Sequence, residues 1–264
     1  MDIYYILIFI LGLIFGSFYN VCIYRIPKGE SIIKIPSHCI NCGTRLRWLD
    51  LVPLVSFVLQ RGRCRYCKDK ISYRYIFVEV LTGLCFVALY QKYGLSTEYI
   101  ASLFLVSILI IVAFIDLEHC IIPNGLVIFG IVGGAVLFAY NIFHSVSFYG
   151  DGVWWNPLIG SLIGSGSLLA VAFIGSIIYK TDEAMGGGDI KIFFPIGLFL
   201  GWKLVIVALL SSIFIGGIVN LVLLILKKVT KEQSTPFGPF ISIGTFIALL
   251  YGWDLINFYT GTYL

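Results

Sequence analysis

Near-continuous apolar runs at about 4–24, 76–92, 99–115, 121–141, 156–179, 192–201, 203–226 and 238–256 leave this chain few folds to choose from. Inside hydrocarbon only helices and closed barrels satisfy their own backbone, and a helix needs roughly 20 apolar residues to cross. Long runs without alternation read as helices. The expected fold is therefore an all-α polytopic membrane protein with about eight transmembrane helices. The sixth run is short for a crossing; it either borrows residues from the glycine-rich turn before it or forms a half-span lining a cavity. Composition agrees: 59% of residues are hydrophobic, 12% are charged, and the mean hydropathy is +0.97.

Charge placement orients these spans. Residues 25–74 carry eleven Lys/Arg against three acids, which the positive-inside rule assigns to the cytoplasm. The N-terminus then faces out, and eight crossings bring the C-terminus out as well. Alternation also places Lys180, Lys191, Lys227, Lys228 and Lys231 inside, leaving Lys92 and Lys203 outside. Basic residues follow the first run instead of preceding it, the pattern of a retained N-out helix and not of a cleaved signal peptide. Three regions result: a first transmembrane helix (1–24), a cytoplasmic loop (25–75) and a transmembrane domain (76–264). The basic loop is expected to meet anionic lipid headgroups. Nothing points to nucleic acid, and the oligomeric state is not legible.

Within that loop, Cys39-Ile40-Asn41-Cys42 and Cys64-Arg65-Tyr66-Cys67 form two CxxC pairs. Each can offer two thiolates to one zinc ion at about 2.3 Å, and two pairs complete a tetrahedron. A reducing cytoplasm disfavours disulfides, and a loop with so few apolar residues gains its order from a metal. Four protein ligands leave no open position, so the zinc is structural. The competing reading is four free or redox-active thiols. Cys22, Cys85 and Cys120 stand alone and read as small apolar packers.

Two carboxylates stand where a span meets water: Asp116, ahead of Ile122-Pro123-Asn124, and Asp189, closing Gly186-Gly187-Gly188-Asp189. Carboxylates are costly there and are kept for a use. Each also has a bland reading, Asp116 as a wetted helix end and Asp189 as a helix-capping group. Asp182, Glu183 and Glu118 lie near enough to compete. The glycine run favours function at Asp189, since it lets an extended peptide backbone approach. Brought together, two carboxyls share a proton and can act as base and acid on an amide. Helix ends suggest Asp189 as the base and Asp116 as the acid. Glu79, at the start of a span, reads as snorkelling or pairing with Arg74. Asn20 and Arg25 read as satisfying backbone or headgroups. Gly12 and Gly16 form a helix-packing face.

These residues resemble the type IV prepilin leader peptidases, membrane aspartic proteases. Gly16-Ser17-Phe18-Tyr19-Asn20-Val21, Tyr24-Arg25-Ile26-Pro27, the paired knuckles, Ile71-Ser72-Tyr73-Arg74-Tyr75, Asp116 with Ile122-Pro123-Asn124, Gly186-Gly187-Gly188-Asp189-Ile190-Lys191 and Pro236-Phe237-Gly238-Pro239-Phe240 follow the family's order. Ile40, where a proline is usual, and Phe57, where a tryptophan is common, depart from it. The resemblance implies cleavage of the short basic leader of type IV prepilin or pseudopilin precursors at the cytoplasmic face of the inner membrane. Asp116 and Asp189 are then catalytic, and Cys39, Cys42, Cys64 and Cys67 hold zinc. Methylation of the new N-terminus with S-adenosylmethionine is implied too, although no methyl-donor pocket can be read. The functional alternative for Glu79 is then contact with the substrate amine or the methyl donor's ammonium. The alternative is a proton- or ion-coupled transporter using the aspartates as a relay; a further reading is a catalytically inactive pilus-assembly factor.

Overall fold

The computed structural model describes residues 3–150, 152–179, 186–227 and 235–261. It is helical, with no extended strand among the described residues, and divides into two compact units, Met1–Gly94 and Leu95–Leu264. Seven of its helices are long and apolar enough to cross a membrane.

The first unit is a helix pair with a folded loop between its members. Helix α1 (Ile3–Arg25) and α3 (Arg74–Tyr93) run antiparallel, with the short α2 (Val55–Leu59) in the loop. Their close approach depends on the small residues expected to form a packing face. A Cβ on Gly12 would stand 2.5 Å from the Gly83 Cα, and one on Gly16 would stand 2.6 Å from the Glu79 Cα. At the loop end, the buried Arg25 guanidinium binds the carbonyls of Ser31, Ile35 and Pro36 at 3.2, 2.7 and 3.3 Å. It therefore satisfies backbone, as one of its two expected roles required.

The second unit contains α4 (Thr97–His119), α5 (Asn124–Phe143), α6 (Asn156–Tyr179), α7 (Gly187–Ile225) and α8 (Gly238–Thr260). The sixth and seventh apolar runs are joined in α7, so seven long helices stand where eight were expected. A straight helix of 39 residues would reach about 58 Å, nearly twice the hydrocarbon thickness. It is not straight. Gly201 has φ 72° and ψ 177°, a conformation open essentially to glycine alone. There the chain doubles back. The space beside Gly164 of α6 is bounded at 3.0 Å by both the Phe193 carbonyl and the Val205 side chain, residues that a continuous helix would hold about 18 Å apart. Asn156 secures the turn by accepting the Trp202 N–H at 3.0 Å. The stretch before Gly201 is thus the short span foreseen in the sequence, and the stretch after it returns to the starting end.

Candidate active site and metal centre

The turn at Gly201 gathers helix ends. Before it, α7 runs alongside α5 in the same direction: Gly188 abuts Ile122, Lys191 donates to the Asn124 Oδ1 at 3.3 Å, and Gly130 and Gly134 abut Pro195 and Leu198. After the turn, α7 lies antiparallel to α8, with Gly252 near Leu204, Gly244 near Ala208 and Gly216 near Phe237. The start of α8 meets the end of α4. Four termini therefore share one end of this unit: the C-terminus of α4 and the N-termini of α5, α7 and α8. Asp116 and Asp189 are both at that end.

Asp116, in the last turn of α4, is 5% exposed, which removes the reading of a carboxylate wetted by headgroups. Its Oδ2 accepts the Gly238 N–H at 2.7 Å, a charge-assisted bond at the positive end of α8. Asp189 sits half-buried in the first turn of α7, next to the glycines that precede it; a Cβ on Gly186 would be 2.8 Å from its Oδ2. Both carboxylates thus lie where the C-terminus of α4 meets the N-termini of α7 and α8. The expected division into acid and base set the negative end of α4 at Asp116 against the positive end of α7 at Asp189. Because α8 points its N-terminus at Asp116, helix ends no longer separate the two roles.

Gly238 is the residue that sequence reasoning missed. Its motif was recognised, but its partner lies 122 positions away, and only the packing of α8 on α4 brings them together. Of the competing acids, Glu118 is exposed, and Asp182 and Glu183 lie outside the described residues, as do Lys180, Lys228 and Lys231. His119 and Cys120 are exposed, and no second metal-capable cluster forms with them among the described residues.

In the first unit, the four cysteines converge. All four Sγ atoms lie within 4.8 Å of one another, with Cys39 and Cys67 at 3.9 Å. Tetrahedral thiolates bound at about 2.3 Å would be separated by about 3.8 Å, so the set fits one metal ion. The two knuckles are built alike. The N–H of Gly43 returns to the Cys39 carbonyl at 2.9 Å and that of Lys68 to the Cys64 carbonyl at 3.0 Å. Both returning residues have positive φ, 69° and 64°, and each knuckle is flanked by a bridge, His38 with Arg45 and Arg63 with Lys70. Hydrogen bonding with Thr44 pulls the Cys42 thiol down to about 6, while the Cys67 thiol of the same cluster is pushed up to about 12.

Asp50 organises the rest of this loop. It pairs with the Arg65 Nε at 3.1 Å and accepts from Gln60, Tyr66 and the Arg47 N–H. Asp69 accepts from Asn41 at 3.2 Å, so both acids have internal work. Glu79 departs from expectation. It is 7% exposed and forms no ion pair with Arg74; its partners are the Leu54 N–H at 2.8 Å and the Ser17 hydroxyl.

The comparisons with known proteins cover both units. The family model described as Bacterial Peptidase A24 N-terminal domain matches residues 10–93, and the one described as Type IV leader peptidase family matches residues 103–221. The chain is 36% identical over 253 residues to a prepilin leader peptidase/N-methyltransferase of Bacillus subtilis (strain 168), covering 96% of each chain. A protein of the same name from Myxococcus xanthus (strain DK1622) is 35% identical over 88% of this chain and 68% of its own. One from Aeromonas hydrophila is 31% identical over 97% and 95%. No solved structure matches significantly.

Proposed function

The chain belongs to the type IV leader peptidase family, and from that premise we propose that Asp116 and Asp189 together hydrolyse the leader peptide bond of type IV prepilin-like precursors. The family makes it a multi-pass membrane protease that also acts as an N-methyltransferase. The observation that supports the dyad is the meeting of helix ends, with both motif aspartates at the same end of the second unit. An ion relay would need transport, to which neither these relatives nor the tetracysteine loop points.

In this mechanism one carboxylate is ionised and the other protonated. The ionised group takes a proton from a water molecule, whose oxygen attacks the scissile carbonyl carbon. The protonated group donates to the carbonyl oxygen, and collapse breaks the C–N bond as a proton passes to the leaving amine. Gly186, Gly187 and Gly188 leave room for an extended backbone beside Asp189. S-adenosylmethionine, when bound, would supply the methyl group for the new α-amine. Zinc held by Cys39, Cys42, Cys64 and Cys67 is structural. The dyad and the metal-bearing loop face the cytoplasm, with both termini on the opposite side, and the precursor presents its basic leader from the cytoplasm.

The test is mass spectrometry of a detergent-solubilised precursor incubated with the purified protein. Asp116→Asn and Asp189→Asn should each reduce leader removal by about a thousand-fold or more, with helical content intact. Cleavage that survives either change overturns the assignment. A methyl-mass gain on the mature product, dependent on S-adenosylmethionine, reports the second step.

A further inference from the structure

The loop between α1 and α3 carries an apolar face that nothing in its own unit covers. Trp48, Leu49 and Leu51, in and just after the single turn Trp48–Asp50, and Val55, Val58 and Leu59 of α2 are between 41% and 75% exposed. Large apolar side chains gathered so densely into one segment mark contact with a protein or a membrane. The remaining side chains of the segment face inward. The Phe57 ring lies 5.7 Å from that of Tyr73 and bounds the space beside Gly62, and Gln60 donates to Asp50. The segment therefore has two faces, one packed into the loop and one bare.

The level of this segment along the two spans identifies what lies against the bare face. Leu54, whose φ of 60° turns the chain into α2, donates its N–H to the Glu79 carboxylate at 2.8 Å. Glu79 stands about 7.5 Å along α3 from its start at Arg74. It packs on Gly16 of α1, where an added Cβ would be 2.6 Å from the Glu79 Cα. From Gly16, α1 continues for about 13 Å to its end at Arg25. The Glu79 side chain leans towards the start of α3, and Asn20, which donates to the Tyr75 carbonyl at 3.0 Å, sets that start below the end of α1. Leu54 and the helix it begins thus lie beside the last turns of α1, not beyond them. The two spans hold 23 and 20 residues, about 34 and 30 Å, enough to cross the hydrocarbon and little more. Their loop-side turns are therefore where headgroups give way to acyl chains. Arg45, Arg47, Arg61 and Arg63, all exposed, flank the segment in sequence, the composition of an element that lies in the plane of a membrane interface.

We propose that residues 48–59 are an interfacial membrane anchor, with Trp48, Leu51, Val55, Val58 and Leu59 entering the boundary between phospholipid headgroups and acyl chains. Lipid is the occupant because the loop is tethered to a span at each end and its apolar face sits at the depth of those spans. Tryptophan is enriched at that boundary. This contact differs from attraction of the basic loop to anionic headgroups, which salt screens; burial of apolar side chains depends neither on lipid charge nor on ionic strength. The Glu79 carboxylate then fixes the inner face of the segment to the spans through Leu54, while lipid receives the outer face, so the metal-bearing loop is held against the membrane from both sides. The inference is independent of the hydrolytic chemistry and rests on α1 and α3 crossing the membrane.

Benzoylphenylalanine placed at Val58 or at Leu59 of the full-length protein in phosphatidylcholine liposomes tests this, with the adducts formed on illumination identified by mass spectrometry. Phospholipid adducts at both positions, undiminished in high salt, are expected. Adducts to a peptide within residues 95–264 or to a second copy of the chain would mean that protein covers the face and overturn the proposal. So would lipid adducts that form only when phosphatidylglycerol is included, since charge alone would then hold the loop. A second measurement leaves the apolar face unaltered. The fluorescence of Trp48, isolated as the difference between the unaltered protein and Trp48→Phe, should fall about two-fold in phosphatidylcholine brominated near its headgroup and respond little to acrylamide in the water. Strong quenching by acrylamide with none by the brominated lipid places the segment in water and sinks the anchor.

Discussion

At Gly238 the functional group is the main chain itself. Its N–H holds Asp116, and a Cβ at that position would stand 2.8 Å from the Asp116 Oδ2 and 3.0 Å from its Cβ. Gly238→Ala must therefore displace the carboxylate it now fixes. The expected result is a ten- to hundred-fold fall in kcat, with KM for the precursor nearly unchanged, since a positioning error acts chiefly on the chemical step. Equal activity would mean the bond is incidental. The carboxylates themselves should titrate as one unit, so the pH dependence of kcat is expected to show two ionisations; a single one argues against a dyad. The cysteine cluster was legible because its residue type and spacing announce its chemistry. Gly238 was not, because its meaning resides in a contact between helices distant in sequence. Glu79 was misread for a related reason: Arg74 is its neighbour in sequence, but the folded loop delivers the Leu54 N–H instead.

At the level of elements, the apolar runs identified the helices, and the short sixth run foretold the break in α7. The doubling back at Gly201 could not be read, because a glycine within an apolar stretch is equally compatible with close packing. Gly201→Ala is expected to destabilise the second unit by about 1–3 kcal/mol from backbone strain alone, with more from Tyr149, whose ring lies 2.7 Å from the added Cβ. Denaturation followed by circular dichroism checks this. Alongside the same part of α7 lies an apolar groove lined by Val127, Ile128 and Ile131 of α5 and by Ile190, Lys191 and Phe194 of α7. It begins at the residues adjoining Asp189, where the proposed mechanism would bring the apolar helix that follows a precursor's scissile bond. Ile131→Trp, which narrows it, should raise KM for the full precursor several-fold while sparing the cleavage of a short leader peptide. The paired knuckles make a third prediction. With little buried core around them, chelation should expose residues 36–70 to proteolysis, and an unchanged digest would mean that the thiols hold no metal.

Across the whole second unit, the levels at which helices end differ. The Ser165 Oγ bonds the Ile190 carbonyl at 2.9 Å, so the middle of α6 lies level with Asp189. From there α6 continues to Tyr179, about 21 Å of helix. Past Gly216, which lies level with the start of α8, α7 continues to Ile225, about 13 Å further. These extensions are not polar. Phe173, Ile174, Ile177 and Ile178 on α6 and Leu221, Val222 and Ile225 on α7 are between 47% and 68% exposed. Helices that are apolar and uncovered in this way belong in hydrocarbon. Both carboxylates are therefore recessed along the helix axes from the ends of α6 and α7, and the proposed membrane position of these helices would put lipid along part of the approach. That arrangement suits a substrate that brings its own membrane helix. Nitroxides at Phe173 and Ile177 in the reconstituted protein should relax with oxygen more than with a water-soluble nickel chelate. The opposite ratio would put the extensions in water and return the two carboxylates to the interface.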